Sequence, residues 1–513
     1  MNKMLNFEKI NKINNNTWFF RFKKFWDDYL ITNDIAKYSF LTKDEFSNFI
    51  SWNIKEGNKY NELVEKKFIK SETYDNDMAL LYAKKNEFLA YGPSLHIIVT
   101  TLRCNHKCQY CHAAVAPMTA KNMDMTEDTA RKVVDTIFYT SNPNLTIEFQ
   151  WWEALVNWDI VKFVTEYAEV KAWHLWKKVQ FALVTNLTLM DDEKLEYILA
   201  HNIHISTSLD WDEETHNFNR TFKDWNSYDK VTYWIKKINK RYAELDAEIP
   251  DFDGKVLRKV WALVTVTKKT LTKYKELIDT YIELWLDWIF LRPLNPYWFA
   301  AADLEKLWYS PEEFVEFYKK AMEYIIKLHK ENPDLNFREA LSTIYLAKML
   351  TDKDPNYLDE RSPCWACVWQ VAYNFDGKIY SCDEWRMLWR MWDDSFLMVD
   401  IKDTSFEQYP GHETYNKMID SETTKIMVQA STLDWLPGYN DSVYKPYIWV
   451  CPIHSYKSTW NIIPNYAKDH KRVLWYNVLD YLFENVRIDE NRVIFERWLG
   501  VENNLVTSQC EAI

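Results

Sequence analysis

Between Ser94 and Lys330 short β-branched runs alternate with longer stretches of helical period, the pattern of repeated βαβ units around a parallel sheet. Six strands are predicted: LHIIVTT (95–101), LTIEFQ (145–150), VQFALVT (179–185), IHISTSL (203–209), VWALVTVT (260–267) and IFLRPL (289–294), each bounded by polar or turn residues. Helices fit between them, as from Thr126 to Tyr139, where Thr126 is placed to cap and the apolar stripe VVDTIF follows. Six such units can close part of a barrel or lie flat as a doubly wound sheet, and periodicity does not choose between the two.

The flanks have other patterns. Before the array, WFFRFKKFWDDYLITND and AKYSFLT read as short strands, and KDEFSNFISWNI and NKYNELVEKKFI as short helices, which together predict a small winged-helix-like unit. After it, FREALSTIYLAKML is helical, a Pro/Asp-rich connection follows near Pro355, and VLWYNVLDYLFENVRI with NRVIFERWLG near the end are amphipathic packing elements. The expected units are residues 1–90, 91–330, a helical linker 331–360, a cysteine-bearing region 361–470 and a helical tail 471–513.

Charge and hydropathy narrow the partners. The 63 Lys and Arg against 75 Asp and Glu leave a net charge of −12 with no basic run, so nucleic acid is not an expected partner. No long apolar run and no secretory-type N-terminal core are present, which predicts a cytoplasmic protein with no membrane association. Eight cysteines, clustered, point to metal or catalysis rather than a disulfide scaffold. One composition figure is out of line: 7 glycines in 513 residues, against 26 tryptophans. Together the two make up about 6% of the chain, close to the usual share of glycine by itself, which is about 7%.

Directly after the first predicted strand stands TLRCNHKCQYCHAA, that is Cys104-x3-Cys108-x2-Cys111. Three thiolates on one loop can hold three corners of a [4Fe–4S] cube and leave the fourth iron open. A zinc site completed by His106 or His112 is the alternative. The loop follows the C-terminal end of a strand, where β/α folds place their active sites.

This motif resembles the radical S-adenosylmethionine (SAM) superfamily, whose hallmark is a C-x3-C-x2-C loop after the first strand of a partial (β/α)6 barrel. The resemblance implies that Cys104, Cys108 and Cys111 ligate a SAM-binding [4Fe–4S] cluster, and that SAM is cleaved to a 5′-deoxyadenosyl radical that abstracts a substrate hydrogen. Where the superfamily carries Gly-Gly-Glu near the SAM amino group, this chain has Trp151, Trp152 and Glu153. Glycine serves there because backbone must approach the ligand with no Cβ in the way. Trp211, Trp285, Trp288, Trp298, Trp385, Trp389, Trp392, Trp435 and Trp449 likewise stand where the resemblance has glycine. The expectation is that many of these letters are glycine in the native host, through UGA read as glycine; a Trp-rich protein with a blocked site is the alternative. Trp158, at an apolar helix position, reads as genuine.

Further SAM-facing positions implied by the resemblance are Thr185 and Asn186 after the third strand, Ser208 and Asp210 after the fourth, and Arg220 for the SAM carboxylate, with Arg292 at the sixth strand end. Cys364, Gly377 and Cys382 resemble the opening of a SPASM domain, with YNFDGKIYSCDE as its hairpin. One auxiliary [4Fe–4S] cluster on Cys364, Cys367, Cys382 and Cys451 is expected, with zinc as the alternative and Cys510 as a free thiol. FLRPLNPYWFA, REALSTIYLAKML and PYIWVCPIHSY resemble the radical SAM maturase of the His-Xaa-Ser peptide-modification system. That resemblance implies a ribosomally made His-Xaa-Ser repeat peptide as substrate, a peptide-recognition role for the N-terminal unit, and an electron donor such as a flavodoxin or ferredoxin. The fold expected is α/β: a partial (β/α)6 radical SAM barrel with an N-terminal winged-helix-like unit and a C-terminal SPASM-like iron–sulfur extension. The alternatives are another SPASM maturase, thioether-forming or sulfatase-activating, and a catalytically inactive, metal-containing peptide-binding homologue.

Overall fold

The computed structural model describes residues 15–71, 74–111, 115–223, 226–248, 258–295, 304–355, 360–388 and 393–500. At the N-terminal end, strands β1 (Arg21–Phe25), β2 (Asp28–Thr32) and β3 (Tyr38–Leu41) form an antiparallel meander. The helix Lys43–Ile50 follows, closed by a capping box in which Thr42 and Glu45 satisfy each other's backbone N–H. Ile31, Leu41, Phe46, Phe49, Leu63, Phe68 and Ile69 make a small separate core. This unit is tied to the C-terminal end of the chain: Lys23 pairs with Asp480 at 2.9 Å, and Tyr38 meets the Phe483 ring edge-on at 5.2 Å.

The alternating region builds strands β4 (Leu95–Ile98), β6 (Asn144–Phe149), β7 (Lys178–Thr185), β8 (Ile203–Ser208), β10 (Trp261–Thr265) and β12 (Leu291–Arg292). Each pairs in parallel with the next in chain order. That order decides what periodicity left open. A doubly wound sheet reverses direction about a switch point, whereas here six strands step one way, the winding of a barrel. The expected sixth strand is split: β11 (Trp288–Ile289) pairs with β13 (Arg338–Glu339), and β12 carries on beside β10. Thr126 does cap the helix Glu127–Ile137, its hydroxyl accepting from the Thr129 N–H. The helix Pro311–Glu331 starts with a Ser310–Glu313 capping box and Pro at its first turn, and buries Phe314, Phe317, Tyr318, Ala321, Met322 and Ile325.

The open edge of the barrel sheet is covered from the C-terminal region. β14 (Gln370–Tyr373) lies parallel to β4 in the register Gln370↔Leu95 to Tyr373↔Ile98. It turns through Gly377, at φ +91, into β15 (Lys378–Tyr380), and β16 (Leu397–Asp400) completes a nine-stranded sheet. The hairpin read from YNFDGKIYSCDE is therefore present, but as a continuation of the barrel sheet, so the region expected at 361–470 shares its core with the barrel instead of forming a layer of its own. Two short strands, β5 (His106–Cys108) and β9 (Arg220–Phe222), pair antiparallel above the barrel mouth.

Candidate functional site

The C-terminal ends of the barrel strands, the segment leading into β14 and the first turn after β15 line a cavity of about 260 Å³. Cys104, Cys108 and Cys111 line it on one side, and Cys364, Cys382 and Cys451 on the other. Residues nearly 350 apart in sequence thus present thiols to one space. None of these six cysteines is in a disulfide.

The first cysteine loop is held by its backbone and by polar side chains. Cys108 faces Arg220 across the β5–β9 pair, and the Cys111 N–H donates to the Cys108 carbonyl at 3.1 Å. Arg103, just before the loop, donates from Nε to Asp124 at 2.7 Å. Asn105 donates to Thr188 Oγ1 at 2.8 Å and accepts from Asn186 Nδ2 at 2.9 Å. Asn186 Nδ2 also stands 3.9 Å from the Cys104 sulfur. Burial raises the thiol pKa of Cys104, Cys382 and Cys451 well above the usual range and that of Cys108 to about 12. Bare, these groups stay protonated, so the thiolates a metal requires arise only with the metal's own charge.

Glu153 joins the parts. It is fully buried and does not line the cavity. One carboxylate oxygen accepts from Thr185 Oγ1 at 2.7 Å and the Leu155 N–H at 3.2 Å, and the other from the Asn186 N–H at 2.8 Å. Its own N–H donates to the Arg103 carbonyl at 3.3 Å. Burial, opposed by these three donors, lifts its pKa to about 7. Glu153 therefore ties the 151–153 turn to the third strand and to the cysteine loop.

Thr185, Asn186, Ser208 and Arg220 do line the cavity, as do Trp151, Trp152 and Arg292. Asp210 does not: it is fully buried beneath the wall, accepting from Tyr110 Oη at 2.8 Å, Asn219 Nδ2 at 3.1 Å and Arg220 Nε at 3.2 Å. It anchors Arg220 and the tyrosine between Cys108 and Cys111, and meets the cavity through Arg220. Arg220 is in turn matched by a buried carboxylate before any ligand arrives.

Cys367 also departs from its expected place. Its backbone takes φ +68, its N–H is shared between the Gln370 and Ser381 carbonyls, and its sulfur faces Met398 Sδ at 4.0 Å, away from the cavity. Asp383 and Glu384, which sequence reasoning passed over, line the cavity beside Cys382. The Cys451 thiol donates to Glu384 at 3.5 Å, and Gln370 donates to Asp383 at 2.8 Å. The run Cys-Asp-Glu after the hairpin was the signal for them. Among the described residues no group of three or more His, Cys, Asp or Glu side chains is placed to hold a metal ion. The donor set fits iron–sulfur chemistry nonetheless, three thiols from one short loop on one shielded wall.

The tryptophan letters divide by backbone. Among the described residues twelve that are not glycine have positive φ, and seven of these are Trp: Trp26, Trp52, Trp151, Trp152, Trp176, Trp285 and Trp460. Trp151 and Trp152 lie at φ +74 and +55 at the cavity wall. Trp211, Trp288, Trp385, Trp435 and Trp449 are not among them; Trp385 is instead jammed, its ring centroid 3.2 Å from that of Phe396. Trp298, Trp389, Trp392, His112 and Cys510 lie outside the described residues.

Comparison with known proteins agrees with this site. Residues 98–244 match the profile of the Radical SAM superfamily. The radical SAM cyclopropyl synthase TigE of Paramaledivibacter caminithermalis is 23% identical over 223 residues, 38% of this chain and 42% of TigE. The chain thus matches less than half the length of that relative. An uncharacterized protein of Methanocaldococcus jannaschii is 29% identical over 114 residues, 22% of this chain and 37% of its own. Among solved structures, native anSMEcpe with bound AdoMet superposes with a TM-score of 0.61 at 15% identity, covering 78% of this chain and all of the other. No helix among the described residues is long and apolar enough to cross a membrane. The stretch that matches this profile, residues 98–244, runs from the last residue of β4 through β8 of the partial barrel, whose open edge is filled by β14.

Proposed function

We propose that this chain is a radical SAM enzyme that modifies a ribosomally made peptide of the His-Xaa-Ser type, with a SAM-binding [4Fe–4S] cluster on Cys104, Cys108 and Cys111 and one auxiliary cluster opposite. The observation that carries the reading is the convergence of six cysteines from two distant segments on one cavity. The auxiliary group draws on Cys364, Cys382 and Cys451, with Cys367 set aside by its position.

When bound, the open-iron cluster and SAM supply a 5′-deoxyadenosyl radical. The chain's own residues prepare the site for it. Asp210 fixes Tyr110 and Arg220, so the loop between Cys108 and Cys111 is held from below. Glu153 fixes the ends of the second and third strands, and Asn105 and Asn186 brace the loop from the side. The extension walls the same space through Cys364, Trp365, Cys382 and Cys451. That solved structures of anSMEcpe include one with AdoMet and a peptide bound supports a peptide substrate for this fold. The N-terminal meander, packed on the extension, is suited to hold part of such a peptide.

The reading requires glycine at 151 and 152. Left-handed backbone costs an L-residue about 1–2 kcal/mol, and a bulky one there is a true outlier. Seven of the described chain's twelve non-glycine positive-φ positions being Trp supports UGA read as glycine in the native host. Trp176 and Trp460, 94% and 76% exposed at left-handed helix ends, sit where helices ordinarily place glycine.

Mass spectrometry of the native-host tryptic peptide Val133 to Lys162, which carries Trp151, Trp152 and Trp158, tests this. Two Trp-to-Gly mass decrements at 151 and 152, with 5′-deoxyadenosine released from SAM under reducing conditions, are the expected results. Intact tryptophans and no SAM cleavage would leave the inactive peptide-binding homologue.

A further inference from the structure

A [4Fe–4S] cube has four irons to ligate, and the extension brings three thiols to the cavity: Cys364, Cys382 and Cys451. The charges of Cys364 and Glu384 each act on both the Cys382 and the Cys451 thiol, so these four groups share one neighbourhood. Glu384 lines the cavity with them, on the short helix Asp383–Leu388 that starts directly after Cys382. Its carboxylate is loosely held. Oε1 accepts from Asn295 Nδ2 at 3.5 Å, the outer limit of a hydrogen bond, and Oε2 accepts from the Cys451 thiol at 3.5 Å, an ordinary contact for sulfur. The Cys451 sulfur also caps the helix Pro452–Thr459, accepting from the His454 N–H at 3.5 Å, a place that favours a thiolate.

The other candidates for a fourth donor are turned away or engaged. Cys367 lies under the influence of Thr424 and Ser381 and faces Met398 Sδ at 4.0 Å. His454 lines a second, smaller pocket and not the cavity. Asp383 lines the cavity, but Gln370 holds its carboxylate at 2.8 Å. Among the described residues these donors are not placed to hold one metal ion, which counts against zinc, whereas a cube takes its ligands at four separate irons. We propose that Glu384 is the fourth ligand of the auxiliary cluster, so that three irons of that cube carry thiolate and one carries a carboxylate. This rests on the iron–sulfur reading of the extension and supplies the ligand that reading leaves unfilled. Carboxylate oxygen is a harder donor than thiolate and suits the iron of a cluster less well. The corner held by Glu384 is therefore where the cube gives up its iron first.

The test is anaerobic reconstitution of the full chain with iron and sulfide in a C104S/C108S/C111S background, which isolates the second site. The parent chain is expected to hold about four irons and four sulfides. With E384A added it is expected to hold about three irons and four sulfides, with the paramagnetic resonance spectrum of an oxidised three-iron cluster. E384C is expected to bring the fourth iron back and to lower the midpoint potential, because thiolate gives more charge to iron than carboxylate does. That recovery separates loss of a ligand from loss of the fold. C367A is expected to match the parent chain in iron, sulfide and potential. The proposal is overturned if E384A keeps all its iron and only its potential moves, the signature of a hydrogen-bond neighbour of Cys451, or if C367A loses iron and E384A does not. A failure of the underlying reading looks different: the parent chain then takes up no sulfide, whatever residue stands at 384.

Discussion

The two cysteine sets on the cavity differ in how completely they are built. The loop from Cys104 to Cys111 puts every one of its thiols on the wall and is braced by Asn105, Asn186 and the β5–β9 pair. The set from the extension puts three of four there and turns Cys367 toward Met398. A loop of eight residues at a strand end can be fixed by local backbone, whereas the second set draws Cys382 from a hairpin and Cys451 from a helix N-cap more than sixty residues later. A motif with short spacing therefore carries over from sequence more faithfully than one assembled by tertiary contacts.

The largest effect that sharpens this contrast is loss of the first set. Cys108→Ser is expected to reduce 5′-deoxyadenosine formation to background, because a three-thiolate site has no spare ligand. Retention of SAM cleavage would break the assignment. The second set is expected to respond unevenly. Cys382→Ser or Cys451→Ser should lower the iron and sulfide count by the auxiliary complement, while Cys367→Ser leaves it unchanged. Equal loss in all three would return Cys367 to the ligand set.

The same contrast explains what was legible beforehand. All six barrel strands fall on their expected runs, with β6 and β7 each beginning one residue earlier, because β-branched alternation reports burial directly, and Thr126 caps as its position implied. The order β4 to β12 followed from the resemblance and not from periodicity, and the insertion of β14 beside β4 was not legible, since pairing between strands more than 270 residues apart leaves no local period. Asp210 and Glu153 were placed in the right neighbourhood, and what sequence did not show is that both are buried behind the wall with protein donors. A carboxylate at a strand end looks alike in sequence whether it faces a ligand or braces the loop behind it.

Next in size is a pH effect from the barrel side of the cavity. Burial raises Glu148 to a pKa of about 7, with Asp383 adding to the rise and Arg292 opposing it, and raises Glu153 to about 7. A carboxyl whose folded pKa exceeds its unfolded value stabilises the fold while protonated; that contribution is full below the unfolded pKa, about 4.3, and is lost as pH climbs through 7. The metal-free protein is therefore expected to lose stability from about pH 5 to 7.5, and Glu148→Gln to flatten that slope in denaturant titrations. An unchanged slope would mean that Glu148 is hydrated and ordinary.

The smallest effect separates two tryptophan letters on one helix. Trp176 ends the helix Trp158–Leu175 in a left-handed conformation at φ +55 and is almost wholly exposed, so it contributes no burial to offset its backbone. Trp158 begins the helix at φ −58, half-buried with its ring 5.3 Å from Tyr197 in an edge-on contact. Taking the chain with Trp at both positions as reference, Gly at 176 is expected to stabilise by about 1–2 kcal/mol through relief of the left-handed strain. Gly at 158 is expected to destabilise by about 1 kcal/mol or more, through lost helix propensity and the lost aromatic pair. Denaturant midpoints of the two variants measure the difference, and opposite signs mean that 176 is a glycine position and 158 is not. If both variants lose stability, the left-handed tryptophans are at home in this fold, and the case for glycine at 151 and 152 must stand on mass alone.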